Sequence, residues 1–360
     1  MNQQNNPSPS NVEDISSKKK RPFGKKIWLW VLLGITSVIL AVAIVLTVLV
    51  QSGKKNLLGH EDVTLESDET INEVEILEDN TVVYNDKKYI YNKDVTSVLC
   101  IGIDKFKFQN NKHGENGQAD ALFLATLDTK TGRTCIIPVP RDSMVEIDYY
   151  SNSGEYIGIR KAQICLSYAY GDGKHTSCEN TAKAVSRMFY GIPVDSYVAI
   201  DMDAVSVLTQ KVGGVEVTLP EDMTINGRFY KKSSKITLSG DMALEFVMDR
   251  SNEITASLSR MGRQKQFIQQ FAAKAIEKTK KDITAPVGLF KSIMPYMVTD
   301  LDIADVSFLT SSFIGSKAGE RIEYKQILGK AEQPGEFVEY IYDTKSVYDI
   351  IIDVFYEELK

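Results

Sequence analysis

The longest apolar run in the chain, Ile27–Val50, contains no charged residue and no polar face over its 24 positions. At ~1.5 Å per residue this run reaches about 36 Å, enough to cross a ~30 Å hydrocarbon core with some tilt. Trp28 and Trp30 sit near one end, where amphipathic rings favour the headgroup level. A cleaved signal peptide has a shorter apolar stretch and a small-residue cleavage site, and Leu49-Val50-Gln51 is a poor one. The pattern predicts a membrane-spanning helix over 27–50. Lys18, Lys19, Lys20, Arg21, Lys25 and Lys26 precede it, and only Lys54 and Lys55 follow closely. That asymmetry predicts an N-terminus in the cytoplasm and everything after Val50 outside the cytoplasmic membrane.

The rest of the pattern is mixed. Residues 1–26 open polar and Pro-containing and are expected to form a disordered cytoplasmic tail. Residues 51–80 are rich in acids and read as a solvated stalk. Thr81–Tyr84 and Lys88–Tyr91 alternate apolar and polar around Asn85-Asp86, the pattern of a β-hairpin that opens a folded domain over 81–360. Val95–Ile103 is nearly continuous in apolar residues, as in a strand buried on both faces. Ala121–Leu127 and Thr134–Val139 predict two further strands, joined by a polar turn. Thr176-Ser-Cys-Glu179 has capping-box spacing before a helical run to about Phe189, which Gly191 and Pro193 end. Ser196–Ile200 and Val215–Leu219 read as strands, and Asp203–Val212, Ser239–Met248 and Leu258–Lys278 as helices. The alternation predicts an α/β fold, an α-β-α sandwich around a mixed central sheet.

Composition narrows the function classes. With 43% hydrophobic residues the chain has ample material for a core. A net charge of −6, with no helix-turn-helix or zinc-finger spacing, argues against nucleic acid as a partner. All four cysteines, Cys100, Cys135, Cys165 and Cys178, follow the apolar run. An oxidising compartment permits disulfides, and Cys165 and Cys178, flanking a Gly-containing loop, are the expected pair. No Cys or His spacing suggests zinc.

Polar residues interrupt the apolar framework at a few places. Asp104 ends the strand at Ile103, Asp120 precedes the strand at Ala121, and Arg141-Asp142 follows the strand ending at Val139-Pro140. Ligands of α/β sheets sit beyond such strand ends. Arg250, Arg260, Arg263 and Gln264 gather around a helix start. Spacings of three and four put Arg260, Arg263 and Gln264 on one helix face, with Phe267, Phe271 and Ala275 continuing a nearby apolar stripe. Arginines at a helix N-terminus oppose its positive dipole end unless an anion is present, and guanidinium suits bidentate phosphate contact. These features suggest a phosphate or pyrophosphate site, with Asp104 and Asp120 able to hold a bridging Mg²⁺. A turn or cap role for Asp104, a surface Arg141-Asp142 pair and a solvated helix face for the arginines are the simpler alternatives.

Eight segments, in order, carry a resemblance: SVLCIGID (97–104), QADALFLATLD (118–128), IIPVPRDSMVEI (136–147), SYAYGDG (167–173), YGIPVDSYVAIDMDAV (190–205), VGGVEVTLP (212–220), LSGDMALEFVMDR (238–250) and RMGRQKQ (260–266). Together they resemble the LytR–CpsA–Psr family of bacterial cell-wall proteins, closely over about 81–280, with the motifs within 95–280, and more loosely to 360. The resemblance implies transfer of an anionic glycopolymer, such as wall teichoic acid or capsular polysaccharide, from a polyprenyl-pyrophosphate carrier onto peptidoglycan. A phosphodiester forms and polyprenyl phosphate leaves. It also implies an apolar tunnel for the lipid, with arginines and Mg²⁺ at its mouth. By motif position Asp104 and Asp120 match the metal-associated aspartates. Arg141 and Arg250 match pyrophosphate-binding arginines, and Arg260, Arg263 and Gln264 the helix that closes the site. An Asp near the metal is then the obvious base.

The chain departs from that pattern at three places. Gln118 stands where the family usually has Arg two residues before the second aspartate. Met248 replaces the first member of an Arg-x-Arg pair, and Ser257 replaces a common acid three residues before Arg260. Lys105, Lys107, Arg160 and Lys161 are candidates to supply the missing charge. Two readings follow: a Mg²⁺-dependent phosphotransferase, or a catalytically weak relative that binds lipid-linked polymer or wall glycan in an accessory or regulatory role.

Overall fold

The computed structural model describes residues 43–58, 63–68, 74–103, 117–249, 256–315 and 322–359. By internal contacts the chain divides at residue 47 into two units. In the first, residues 43–47 are helical. Most of the apolar run 27–50 therefore lies outside the described residues, among which no helix is long and apolar enough to cross a membrane.

The second unit opens on helical residues 48–57 (α1). Three short strands follow: β1 (Val74–Ile76), β2 (Val82–Tyr84) and β3 (Lys87–Tyr91). Asn85 and Asp86 join β2 to β3 with φ of 50° and 62°, the left-handed pair that a tight hairpin needs. The acidic segment was expected to be a solvated stalk, but its described parts are tied to the domain. β1 pairs with β2, and Val63 and Leu65 enter the main core. The Glu66 amide donates to Tyr190 O at 2.8 Å, and Tyr348 Oη donates to Glu66 O at 2.6 Å. Close approach is possible because Gly191, at φ 86°, has no Cβ; one built there would stand 3.2 Å from Thr64 O. Two apolar residues among many acids were enough to dock the segment.

The apolar runs form the strands their pattern predicts: β4 (Val95–Ile103), β5 (Ala119–Asp128) and β6 (Thr134–Val139). The hairpin β7 (Met144–Tyr150) and β8 (Tyr156–Gln163) leads through a 3₁₀ segment, Ile164–Tyr170, to helix α2 (His175–Met188). The capping box expected at Thr176–Glu179 does not form. The helix starts at His175, and Asp172 Oδ1 instead accepts from the amides of Lys174 and Ser177 at 2.7 and 3.3 Å. Then come β9 (Ser196–Asp201), α3 (Asp203–Lys211), β10 (Val215–Thr218), β11 (Met223–Ile225), β12 (Arg228–Tyr230) and β13 (Lys235–Leu238). Helices α4 (Asp241–Met248), α5 (Ala256–Lys281) and α6 (Ala285–Ile293) precede β14 (Met297–Thr299) and α7 (Ile303–Gly315). The chain closes with β15 (Ile322–Tyr324), β16 (Gly329–Glu332), β17 (Glu339–Tyr342), α8 (Thr344–Phe355) and β18 (Tyr356–Glu358).

The central sheet has six strands in the order β14-β9-β4-β5-β6-β15. The β4–β9 and β6–β15 pairs are parallel and the others antiparallel, so the sheet is mixed, as expected. Its two faces differ. One carries Leu99, Ile101, Ile103, Leu122 and Leu124 into a core shared with α2 and α8. The other carries Cys100, Gly102, Ala121 and Ala125, small residues opposite α3, α5 and α6. Small side chains on one face of a sheet leave space between it and the covering helices.

No disulfide forms among the four cysteines. The expected Cys165–Cys178 pair is corrected by where the thiols point. Cys165 Sγ faces Arg141 Nη2 at 3.4 Å, while Cys178 is packed in the apolar core with Tyr168 and Val185.

Candidate active site at the mouth of an apolar cavity

The space between the small-residue sheet face and the helices is a cavity of about 280 Å³. Ile200 and Val198 of β9, Leu208 of α3, Phe267, Ile268 and Phe271 of α5, and Ile293 of α6 complete its walls. The apolar stripe predicted beyond Gln264 is thus a cavity wall, with Phe267 and Phe271 stacked at 6.1 Å. Protein interiors are normally close-packed. An apolar space of this size beside the sheet is left unfilled by the chain's own side chains. An apolar space open at one side is suited to an apolar ligand.

A polar recess adjoins this cavity and shares Ala121, Phe123 and Gln264 with it; Asp120, Arg141 and Arg260 line it. Asp120 sits at the start of β5 and Arg141 just past β6. Because β5 and β6 run antiparallel, with Leu122 opposite Val139, those two ends meet. Arg141 Nη1 donates to Asp120 Oδ1 and Arg141 Nη2 to the side-chain carbonyl of Gln118. Arg141 Nε lies 3.4 Å from Asp142 Oδ1, so that pair belongs to the recess and is not a surface ion pair. Arg260, on the first turns of α5, approaches Asp120 Oδ1 to 3.8 Å and donates to Asp120 O at 3.4 Å. One carboxylate thereby serves two guanidiniums, with Arg141 and Asp120 only 16% and 12% exposed in their side chains.

Burial disfavours the charge on Arg141, but Cys165, which ionises only at high pH, and the carboxylates Asp120 and Asp142 outweigh it and hold the guanidinium pKa above its ordinary value. Burial pushes the Cys165 thiol up to about 11, against the opposing pull of Arg141. Cys165 is therefore a neutral neighbour at ordinary pH, not a thiolate nucleophile.

The other expected site residues separate into two groups. Gln264 lies between recess and cavity, where its amide donates to Val247 O at 3.3 Å. Arg263 is brought to the same helix but turned away from the recess. Its side chain is 0% exposed, donates to Phe246 O at 3.1 Å, to Asp249 O and to Glu221 Oε1 at 2.7 Å, and ties α5 to the end of α4. Asp104 and Arg250 lie outside the described residues, as do Lys105 and Lys107. Arg160 is held elsewhere, stacked 3.8 Å over the Tyr149 ring and donating to Tyr170 Oη at 2.6 Å.

Among the described residues no group of three His, Cys, Asp or Glu side chains is placed to hold a metal. The recess offers the hard oxygens of Asp120 instead. Mg²⁺ commonly binds through one or two carboxylates plus substrate phosphates and keeps several waters, so this donor set suits an ion shared with a bound phosphate.

Gln118 was read from the sequence as a missing cation and not as a partner of Arg141, and the sheet side of the cavity was not predicted. The signal for the cavity was present as Cys100 and Gly102 of β4 and Ala121 and Ala125 of β5, which share their face with Phe123, hidden by the continuous apolar character of both strands.

The description LytR_cpsA_psr family matches residues 60–352. The chain belongs to this family. A Bacillus licheniformis relative, polyisoprenyl-teichoic acid–peptidoglycan teichoic acid transferase TagU, is 27% identical over 266 residues, 74% of this chain and 78% of its own length. TagV of Bacillus subtilis, of the same named activity, is 28% identical over 215 residues, and that match spans 54% of this chain and about half, 51%, of TagV. The fold is that of solved family structures. The B. subtilis TagV crystal structure superposes with a TM-score of 0.57 at 23% identity, covering 72% of this chain and 96% of that one. A structure of TagT bound to LI-WTA superposes at 0.54, again at 23% identity, covering 73% and 90%.

Proposed function

We propose that this protein transfers an anionic glycopolymer from a polyprenyl-pyrophosphate carrier to peptidoglycan, forming a phosphodiester. The observation that carries the reading is the continuity of a buried Arg141–Asp120–Arg260 cluster with a 280 Å³ apolar cavity. A pyrophosphate attached to a long hydrocarbon needs both, and needs them in contact. The teichoic acid transferases among its relatives point to the same class of polymer. Residues 27–50 anchor the protein in the cytoplasmic membrane, with the domain outside, where carrier and wall both lie.

Arg141 and Arg260 bind the phosphate oxygens and neutralise charge as it shifts toward the leaving group. Asp120 holds both guanidiniums apart from one another and in position. The apolar walls hold the lipid and exclude water from the buried side of the phosphates. The acceptor hydroxyl oxygen bonds to the glycan-linked phosphorus, and the bond from that phosphorus to the bridging oxygen breaks. Polyprenyl phosphate departs with that electron pair, and in this reading the hydroxyl proton passes to Asp120, the base the motif match assigns. When bound, Mg²⁺ held by Asp120, and by Asp104 in the motif reading, supplies further neutralisation of the phosphates.

Gln118 and Met248 give the second reading its footing: with two family arginines missing, the site binds its lipid-linked ligand without efficient transfer. A cavity-blocking variant separates lipid binding from other roles. Full-length protein should retain a polyprenyl phosphate through purification in detergent, and Ala125→Phe, which fills the cavity from β5, should lose it at unchanged folding. Equal retention by both would overturn the assignment of the cavity to lipid.

A further inference from the structure

Strand β8 has one neighbour. It pairs antiparallel with β7, and among the described residues no strand meets its other edge. That edge runs over Tyr156–Gln163 and contains no proline to blunt it. Tyr156, Ile157 and Ile159 are 53%, 60% and 50% exposed. Around Gly158 the surface is open as well: a Cβ built there would meet no atom within 4 Å. An exposed edge with apolar side chains is a template for another strand, because it presents a row of unpaired amides and carbonyls.

The sequence along this edge complements itself. Residues 155–161 read EYIGIRK, with an isoleucine on each side of Gly158, an acid at one end and two cations at the other. Side chains alternate between the faces of a strand, so Glu155, Ile157, Ile159 and Lys161 share one face. A second copy laid antiparallel, with Gly158 opposite Gly158, sets Ile157 against Ile159, Glu155 against Lys161 and Tyr156 against Arg160. Each contact then occurs twice, as two-fold symmetry requires. Apolar pairs and opposite charges across strands stabilise a sheet, and like charges destabilise it. A parallel pairing in register puts Lys161 on Lys161 and Glu155 on Glu155. An antiparallel shift of two residues sets Ile157 against Lys161 or Ile159 against Glu155. The pattern therefore selects one direction and one register.

We propose that β8 is a homodimerisation strand: two copies of this chain join edge to edge through residues 155–161 into one four-stranded sheet, β7-β8-β8-β7. Lys161 already faces Glu146 across the β7–β8 ladder, so Glu155 of the second copy gives it a carboxylate on its other side. On the opposite face Arg160 lies 3.8 Å over the Tyr149 ring and donates to Tyr170 Oη at 2.6 Å. Tyr156 of the second copy adds a further ring beside that guanidinium. The occupant is a second copy, and not an unrelated strand, because the acid, the apolar pair and the cations of one edge are the complement of the same edge reversed. A strand pair of this length is a small interface, at the low end of the range for specific complexes, so the dimer forms reversibly. None of the pairing residues lines the recess or the cavity, and the proposal does not depend on the proposed function.

The test is sedimentation velocity of full-length protein in detergent over a concentration series, with charge-reversed variants. Glu155→Lys and Lys161→Glu each set like charges opposite one another at both ends of the paired strands. Each alone should weaken self-association by roughly tenfold. Mixed one to one, the two variants should associate as strongly as the wild type, because every reversed charge then meets its opposite on the other copy. The double variant Glu155→Lys/Lys161→Glu should recover as well, which separates a lost contact from a lost fold. Association through any other part of the chain does not respond to this exchange. A wild type that stays monomeric at the highest concentration overturns the proposal. So does equal association by the wild type and both single variants, or a mixture no stronger than its components.

Discussion

Gln118 and Arg141 are hydrogen-bonded to one another, the Gln118 side-chain carbonyl accepting from Arg141 Nη2. In the family pattern position 118 usually supplies a cation; here it supplies an acceptor that aims one. Arg141 therefore has Gln118, Asp120 and Asp142 around its donors before any phosphate arrives. A hydrogen bond to a charged group is worth about 1.5–3 kcal/mol. We expect Gln118→Ala to lower kcat/KM for polymer transfer by roughly tenfold or more, measured as release of polyprenyl phosphate, with little change in Tm. An unchanged rate would mean that Gln118 does not position Arg141.

Arg263 differs from Arg141 in kind. It is fully buried and spends its donors on Phe246 O, Asp249 O and Glu221. Removing it strands those acceptors, at a cost of about 3–5 kcal/mol. Arg263→Ala should lower Tm by roughly 10 °C while the protein that remains folded in the cold still transfers polymer. Normal Tm with lost activity would return Arg263 to the binding residues.

Acid sensitivity should reside partly at the sheet edge. Arg133 and Lys325 hold Glu323 at a pKa of about 2, down from 4.5, and Asp353 is held below its ordinary value in the same cluster despite partial burial. Because the folded pKa is depressed, Glu323 contributes its full stabilisation above pH 4.5 and loses it as pH falls toward 2. Glu323→Gln should be less stable than the wild type at pH 7, and the gap should close below pH 4.5. A constant gap across that window would contradict the assignment.

Three of the four thiols should be silent. With no disulfide among them, reductant should leave Tm unchanged, and in the folded protein Ellman's reagent should spare the buried Cys135, Cys165 and Cys178 and reach only Cys100, which is part-exposed on the cavity wall. A Tm drop on reduction would indicate a bond between two of them.

Much of the fold was legible where one residue pattern decided the outcome. Asn85-Asp86 set a hairpin, and the apolar run from Val95 to Ile103 set a central strand. The candidate site was legible as a set of charges at strand and helix ends, and Asp120, Arg141 and Arg260 do converge. What spacing alone did not separate was Arg260 from Arg263. Three residues on a helix give nearly the same face, yet one guanidinium meets Asp120 and the other the end of α4. Asp172 out-competed Thr176 as a cap because its carboxylate reaches two amides from a preceding turn. The 63–68 segment docked because Val63 and Leu65 outweighed the acids around them, a balance set by a partner surface that lies far away in sequence.

The most direct test supplies full-length protein with a synthetic polyprenyl-pyrophosphate glycan, a peptidoglycan acceptor and Mg²⁺, and measures polyprenyl phosphate released. Wild-type protein should release it, and Arg141→Ala and Asp120→Ala should each abolish release, since those two residues form the charged end of the cavity. No release from wild-type protein that still retains the lipid would contradict transfer and leave a binding role. Release unaffected by either substitution would contradict the placement of the reaction at this site.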